Sequence, residues 1–106
     1  MLQEIILAAG ISAITLASGI GAYINCKTQI DKYFPLMEQT LSQTKTEFEK
    51  ENYGGVKNLS NKATDLRFNL DKDGGEWYYL FFEKGRKIND MYKDIKDLEK
   101  TISILE

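Results

Sequence analysis

Three groups of residues in this chain are of types that do chemistry. They are the acids Asp71, Asp73 and Glu76 around Gly74-Gly75, the lone Cys26, and the aromatics Trp77, Tyr78, Tyr79, Phe81 and Phe82. Alternating carboxylates are how calcium loops collect oxygen ligands. An EF-hand loop begun at Asp71 needs a ligand at its fifth position, glycine at its sixth and an acid at its twelfth. Those positions hold Gly75, Glu76 and Phe82, so the cluster reads as a turn with solvated acids and no metal. Histidine is absent and there is a single cysteine. That excludes histidine-based acid–base catalysis, Ser-His-Asp and Cys-His nucleophiles, histidine-ligated metals and an intrachain disulfide. Gly54-Gly55 and Gly74-Gly75 lack the Gly-x-Gly or Gly-Lys-Ser/Thr context of phosphate loops. No catalytic residue, metal, cofactor or small-molecule substrate is expected, and an enzyme is the least supported class.

The aromatic run is apolar on both faces. It is read first as core and second as a partner or lipid surface made by Trp77, Tyr78, Tyr79, Phe81 and Phe82, because aromatics anchor interfaces. Base stacking is discounted. The 14 basic residues are outnumbered by 16 acidic ones, and no basic face tracks a phosphate backbone.

The charge is distributed very unevenly. Of the 106 residues, the first 26 carry only Glu4, whereas 29 of the remaining 80 are charged. Ile5–Ile24 is an uncharged run of 20 residues, about 30 Å as a helix, which is the thickness of the bilayer's hydrocarbon. Residues 1–26 are therefore predicted to be a transmembrane segment. A cleaved signal peptide needs a basic n-region, and Met1-Leu2-Gln3-Glu4 supplies none. Lys27 and Lys32 follow the run and no Lys or Arg precedes it, which places the C-terminal region in the cytoplasm. Cys26 then faces a reducing compartment as an inert thiol, with S-acylation as the alternative. Ala9, Ala13, Ala17 and Gly21 recur every four residues, the spacing that lets a second helix approach closely in lipid. They are the candidate helix–helix interface, with another copy of the chain or with a larger membrane protein.

The polar remainder is expected to be mainly helical. Residues 27–55 form a juxtamembrane heptad helix with a seam of Ile30, Phe34, Met37, Leu41 and Phe48, with Thr44 as its polar member. Pro35 predicts a kink or a fresh helix start, and Gly54-Gly55 is expected to end the helix. Residues 86–106 form a C-terminal amphipathic helix with a seam of Ile88, Met91, Ile95, Leu98, Ile102 and Leu105. Between them, 56–85 has two readings. Strict alternation over Asp65–Leu70 and the β-prone run after Gly75 suggest a short central β-hairpin. The 3-4 spacing of Val56, Leu59, Ala63, Leu66 and Leu70 suggests a helix, followed by a capping box at Asp73–Glu76 and an upstream extension of the C-terminal seam through Trp77 and Phe81.

Glu4, followed by an apolar helix that reaches Tyr23 and runs on into a polar helix, resembles a mature type IV pilin over the first quarter of the chain. The resemblance implies a subunit of a cell-surface filament whose apolar helices form the core. The sequence departs from that pattern in having Glu as the fourth residue, no proline within the apolar run and no cysteine pair. The leading expectation is a non-enzymatic single-pass membrane protein, partnered by the bilayer and by protein rather than nucleic acid. It would act as a scaffold or accessory subunit of a membrane complex. A regulator of lysis or exclusion acting through the same helix contacts is a further class.

Overall fold

The computed structural model describes the backbone of residues 2–75 and 78–106 and the side chains of 20–75 and 78–106. Its elements are α1 (Leu2–Glu49), α2 (Tyr53–Gly74), α3 (Tyr78–Phe81) and α4 (Glu83–Leu105). No strand occurs among the described residues.

The β reading of Asp65–Leu70 is replaced by helix. In a strand, Leu66, Phe68 and Leu70 would share a face. In α2, Leu70 is fully buried, Leu66 is half-buried and Phe68 turns outward at 66% exposure. The buried row Val56, Ser60, Ala63, Leu70 and Gly74 follows helical spacing. Asp73 is likewise inside the last turn of α2 rather than capping a new helix. Gly75 follows it at φ 93°, a left-handed angle that an L side chain adopts at a cost.

Two other expectations about boundaries are corrected. Of the two outcomes expected at Pro35, the fresh start does not occur: α1 runs through it. It also ends at Glu49, before the glycine pair. Asn52 N–H donates to Glu47 O (2.9 Å) and Glu51 N–H to Phe48 O (3.0 Å), a Schellman pair with Glu51 in the left-handed position at φ 61°. Gly54 and Gly55 instead lie in the first turn of α2. There the Asn52 side chain caps the helix by accepting from Gly55 N–H at 3.2 Å and ties back to Glu47 at 2.6 Å.

α2 folds back along α1, and α4 returns parallel to α1, giving an up-down-up three-helix bundle. Asn25 Nδ2 bonds Asp73 O (2.7 Å) at one end, and Lys57 pairs with Glu106 (2.9 Å) at the other. On α4, Ile88, Ile95 and Ile102 are fully buried at seven-residue intervals, with Met91 and Leu98 half-buried beside them. Leu105, expected in the seam, is 59% exposed on the last turn of α4. On α1 the buried row is Cys26, Ile30, Tyr33, Met37, Thr40 and Thr44, and Phe34, Leu41 and Phe48 flank it half-buried. Thr40 and Thr44 tolerate burial because each hydroxyl bonds the carbonyl one turn back, Leu36 O at 2.7 Å and Thr40 O at 2.6 Å. Buried Ser60 accepts from Lys96 Nζ at 2.8 Å, and Arg67 lies over the Tyr92 ring at 4.6 Å.

The molecule measures 69 × 23 × 19 Å with a radius of gyration of 19.4 Å. A compact chain of this length would give about 13 Å. The excess comes from α1, whose 48 residues reach about 72 Å. α4 has only 23 residues, so the N-terminal part of α1 continues beyond the bundle.

Candidate functional site

The end of the bundle from which α1 departs carries the most unusual surface. Among the described residues ten large hydrophobics have exposed side chains, and six lie here: Ile20 (55%), Tyr23 (49%) and Ile24 (57%) on α1, and Tyr79 (40%), Leu80 (59%) and Phe81 (66%) on α3. The other four are scattered: Leu36 on α1, Phe68 on α2, and Ile104 and Leu105 on the last turn of α4.

α3 is held against the bundle by its own first residue. Tyr78 is 1% exposed and packs over Gly85. A Cβ at Gly85 would stand 2.9 Å from the Tyr78 carbonyl carbon and closer still to its oxygen. Only glycine allows α3 and α4 to meet this closely. Phe82, half-buried in an extended conformation, separates the two helices and packs on Tyr23 with ring centroids 4.7 Å apart and planes tilted by 38°. These contacts turn the next three side chains outward, at the level of Tyr23 on α1.

Polar contacts brace the same end. The Tyr33 hydroxyl donates to Asp73 Oδ2 at 3.0 Å, and Lys84 Nζ lies 3.3 Å from Asp31 Oδ1. Between α1 and the start of α4 is a groove of about 410 Å³ lined by Lys27, Ile30, Asp31, Phe82, Glu83 and Lys84. Its charges balance, so it selects neither anion nor cation. Cys26 is fully buried, and burial pushes its thiol above the ordinary 9.0, so it is held as an unreactive thiol rather than presented for acylation. Burial also raises Tyr33, with its bond to Asp73 acting the same way, and raises Tyr78, against which the neighbouring Arg67 pulls downward. Among the described residues, no group of three His, Cys, Asp or Glu is arranged to hold a metal ion.

The residues singled out from sequence divide accordingly. The predicted partner surface splits: Tyr78 is core, Phe82 is a spacer, Tyr79 and Phe81 face outward, and Trp77 lies outside the described residues. Leu80 also belongs to this surface, although it is not aromatic and carries no signal of its own in the run. Ala9, Ala13 and Ala17 lie on α1 where side chains are outside the described residues, whereas Gly21 is exposed with open space around it. Among the described residues, no helix is long and apolar enough to cross a membrane. The backbone of the predicted span Ile5–Ile24 belongs to α1, and the side chains of its residues 5–19 lie outside the described ones.

No protein-family model, curated protein or solved structure matches the chain.

Proposed function

We propose that this chain is a non-enzymatic single-pass membrane protein. α1 anchors it through Ile5–Ile24, and the three-helix bundle stands at the membrane surface as a scaffold or accessory subunit of a membrane complex. The observation that carries the reading is the continuity of α1. One helix joins an uncharged run of 20 residues to a bundle whose nearest end exposes six large hydrophobics among the described residues, against Ile104 and Leu105 at the far end, which closes in Lys50, Glu51, Asn52 and the Lys57–Glu106 pair. An apolar surface at the root of an apolar helix is what a protein emerging from a bilayer needs. Ala9, Ala13, Ala17 and Gly21 then supply the close-packing face for another helix in lipid.

The first test is extraction. The full chain should stay with membranes through alkaline carbonate and leave them only with detergent; release into the carbonate supernatant would end the reading. The second test is association. Ala13→Leu and Ala17→Leu should each weaken self- or partner-association in a membrane two-hybrid assay, and wild-type signals from both would remove the small-residue interface. The rival, a filament subunit with apolar helices packed on one another, requires the protein in sheared surface material. Its recovery there would favour that arrangement over a lipid anchor.

A further inference from the structure

We propose that Tyr79, Leu80 and Phe81 form an interfacial foot that rests in the headgroup layer of the bilayer and fixes the height of the bundle on it. This rests on the membrane-anchored reading of α1 and adds a second, independent point of lipid contact.

Three observations carry it. The foot is mounted rather than loose: Tyr78 is locked over Gly85, and Phe82 is packed on Tyr23, so residues 79–81 have a fixed place. It is also at the right height. Phe82 meets Tyr23, one residue short of the end of Ile5–Ile24, so α3 flanks α1 where the uncharged run gives way to Asn25 and Lys27. Its chemistry is that of the interface, where tyrosine settles at headgroup level and leucine and phenylalanine reach the acyl boundary. Among the described acids near this level, Asp31 pairs with Lys84 and Glu83 with Lys87 at 3.8 Å, and Asp73 accepts from the Tyr33 hydroxyl. The surface there is therefore not a row of bare negative charges repelling a membrane.

Area decides between lipid and a second copy. At roughly 200 Å² per large side chain, the exposures of Ile20, Tyr23, Ile24, Tyr79, Leu80 and Phe81 leave on the order of 650 Å² to cover among the described residues. A stable protein interface takes about 800 Å² per partner. A bilayer has no such minimum, and α1 already holds the patch against it.

The test uses the full chain in phosphatidylcholine vesicles with Cys26→Ala and a bimane label at one of three sites: Phe81→Cys, Leu80→Cys or Ile104→Cys. Ile104 is 81% exposed at the far end of the bundle, so it differs from the foot in position and not in hydrophobicity. Nitroxide lipids labelled near the headgroup should quench positions 80 and 81 at least threefold more than 104. Protein that floats with the vesicles but shows equal quenching at all three sites would overturn the foot while leaving the anchor intact. Protein that does not float would overturn the anchor and the foot with it. Label self-quenching at 80 and 81 that grows with protein density, without nitroxide quenching, would overturn the foot in favour of docking between copies.

Discussion

Replacing Gly85 with alanine separates a structural demand from a helix preference, because the two push stability in opposite directions. In the first turn of a helix, where Gly85 stands, Gly→Ala gains about 0.4–1 kcal/mol from backbone entropy. Here the added methyl would fall 2.9 Å from the Tyr78 carbonyl carbon, 3.1 Å from its Cδ2 and closer to its oxygen. Overpacking costs typically about 1–3 kcal/mol. Two of the three obstructing atoms are backbone and cannot rotate aside, so the upper half of that range applies. The expected net loss is about 1–2 kcal/mol, with α3 displaced from α4. Each kcal/mol moves the midpoint by roughly 4–8 °C in a domain of this size, so the transition should fall by several degrees or more. The control is Gly54→Ala, in the first turn of α2, where a Cβ would meet only Asn52 Oδ1, at 4.0 Å. It should gain about 0.5 kcal/mol from the same entropy term alone. Thermal unfolding of the full chain in detergent, followed by near-ultraviolet circular dichroism, reports the aromatic packing rather than helix content. If Gly85→Ala unfolds at or above the wild-type temperature, α3 is not clamped on α4 and the fixed mounting of the foot is wrong.

Four further expectations follow from the same contacts. Ile95→Ala removes a fully buried side chain at the centre of α4 and should cost about 2–5 kcal/mol by urea titration, whereas Ile104→Ala, at an exposed position, should stay within about 0.5 kcal/mol. Glu51→Gly relieves the left-handed angle at the end of α1 and should raise stability by about 0.5–1 kcal/mol, measured the same way. Lys57→Ala breaks an ion pair whose partners are nearly half exposed, so a change larger than about 1 kcal/mol would contradict its surface character. Cys26, Tyr33 and Tyr78 are all raised by burial from ordinary values of 9.0, 10.0 and 10.0. Their neutral forms are therefore favoured in the fold, and the stability they contribute is present below pH 9 and is lost as pH rises through their folded values. A scan from pH 8 to 11 should show falling midpoints, with a shallower fall in Cys26→Ala.

The parts of the fold legible in sequence are those set by spacing alone. Ile88, Ile95 and Ile102 announce α4, because β-branched residues seven apart among charges have no other consistent placement. The row on α1 was read slightly off axis. Hydrophobicity alone promotes Phe34 and Leu41 over Thr40, yet a threonine that bonds its own preceding turn is inexpensive to bury. The alternation at Asp65–Leu70 looked like a strand because six residues are too few to separate a period of 2 from one of 3.6 when one apolar residue, Phe68, faces solvent. The turns were misplaced for a different reason. Glu51 takes the left-handed position that glycine usually fills, leaving Gly54 and Gly55 to open the next helix. The role of Gly85 was invisible because it depends on the Tyr78 backbone, a contact that no periodicity records.

The split of the aromatic run is where fold and proposed function meet. A run that is apolar on both faces cannot be satisfied by one small core, and of its described residues the core takes Tyr78 and part of Phe82. Tyr79, Leu80 and Phe81 stay exposed, in a molecule whose longest extent of 69 Å includes the part of α1 beyond the bundle. They stand beside Tyr23, at the end from which the uncharged helix emerges. Had the bundle faced water at both ends, the cheapest sequence for α3 would have been a polar turn like Lys50–Asn52, which closes the opposite end in three residues. The connection between α2 and α4 instead retains exposed apolar side chains and spends a buried glycine to hold them in place. That combination of a costly surface on a rigid mount has a physical rationale when the surface is covered in use. Lipid at the root of α1 is the covering that requires no partner of matching shape.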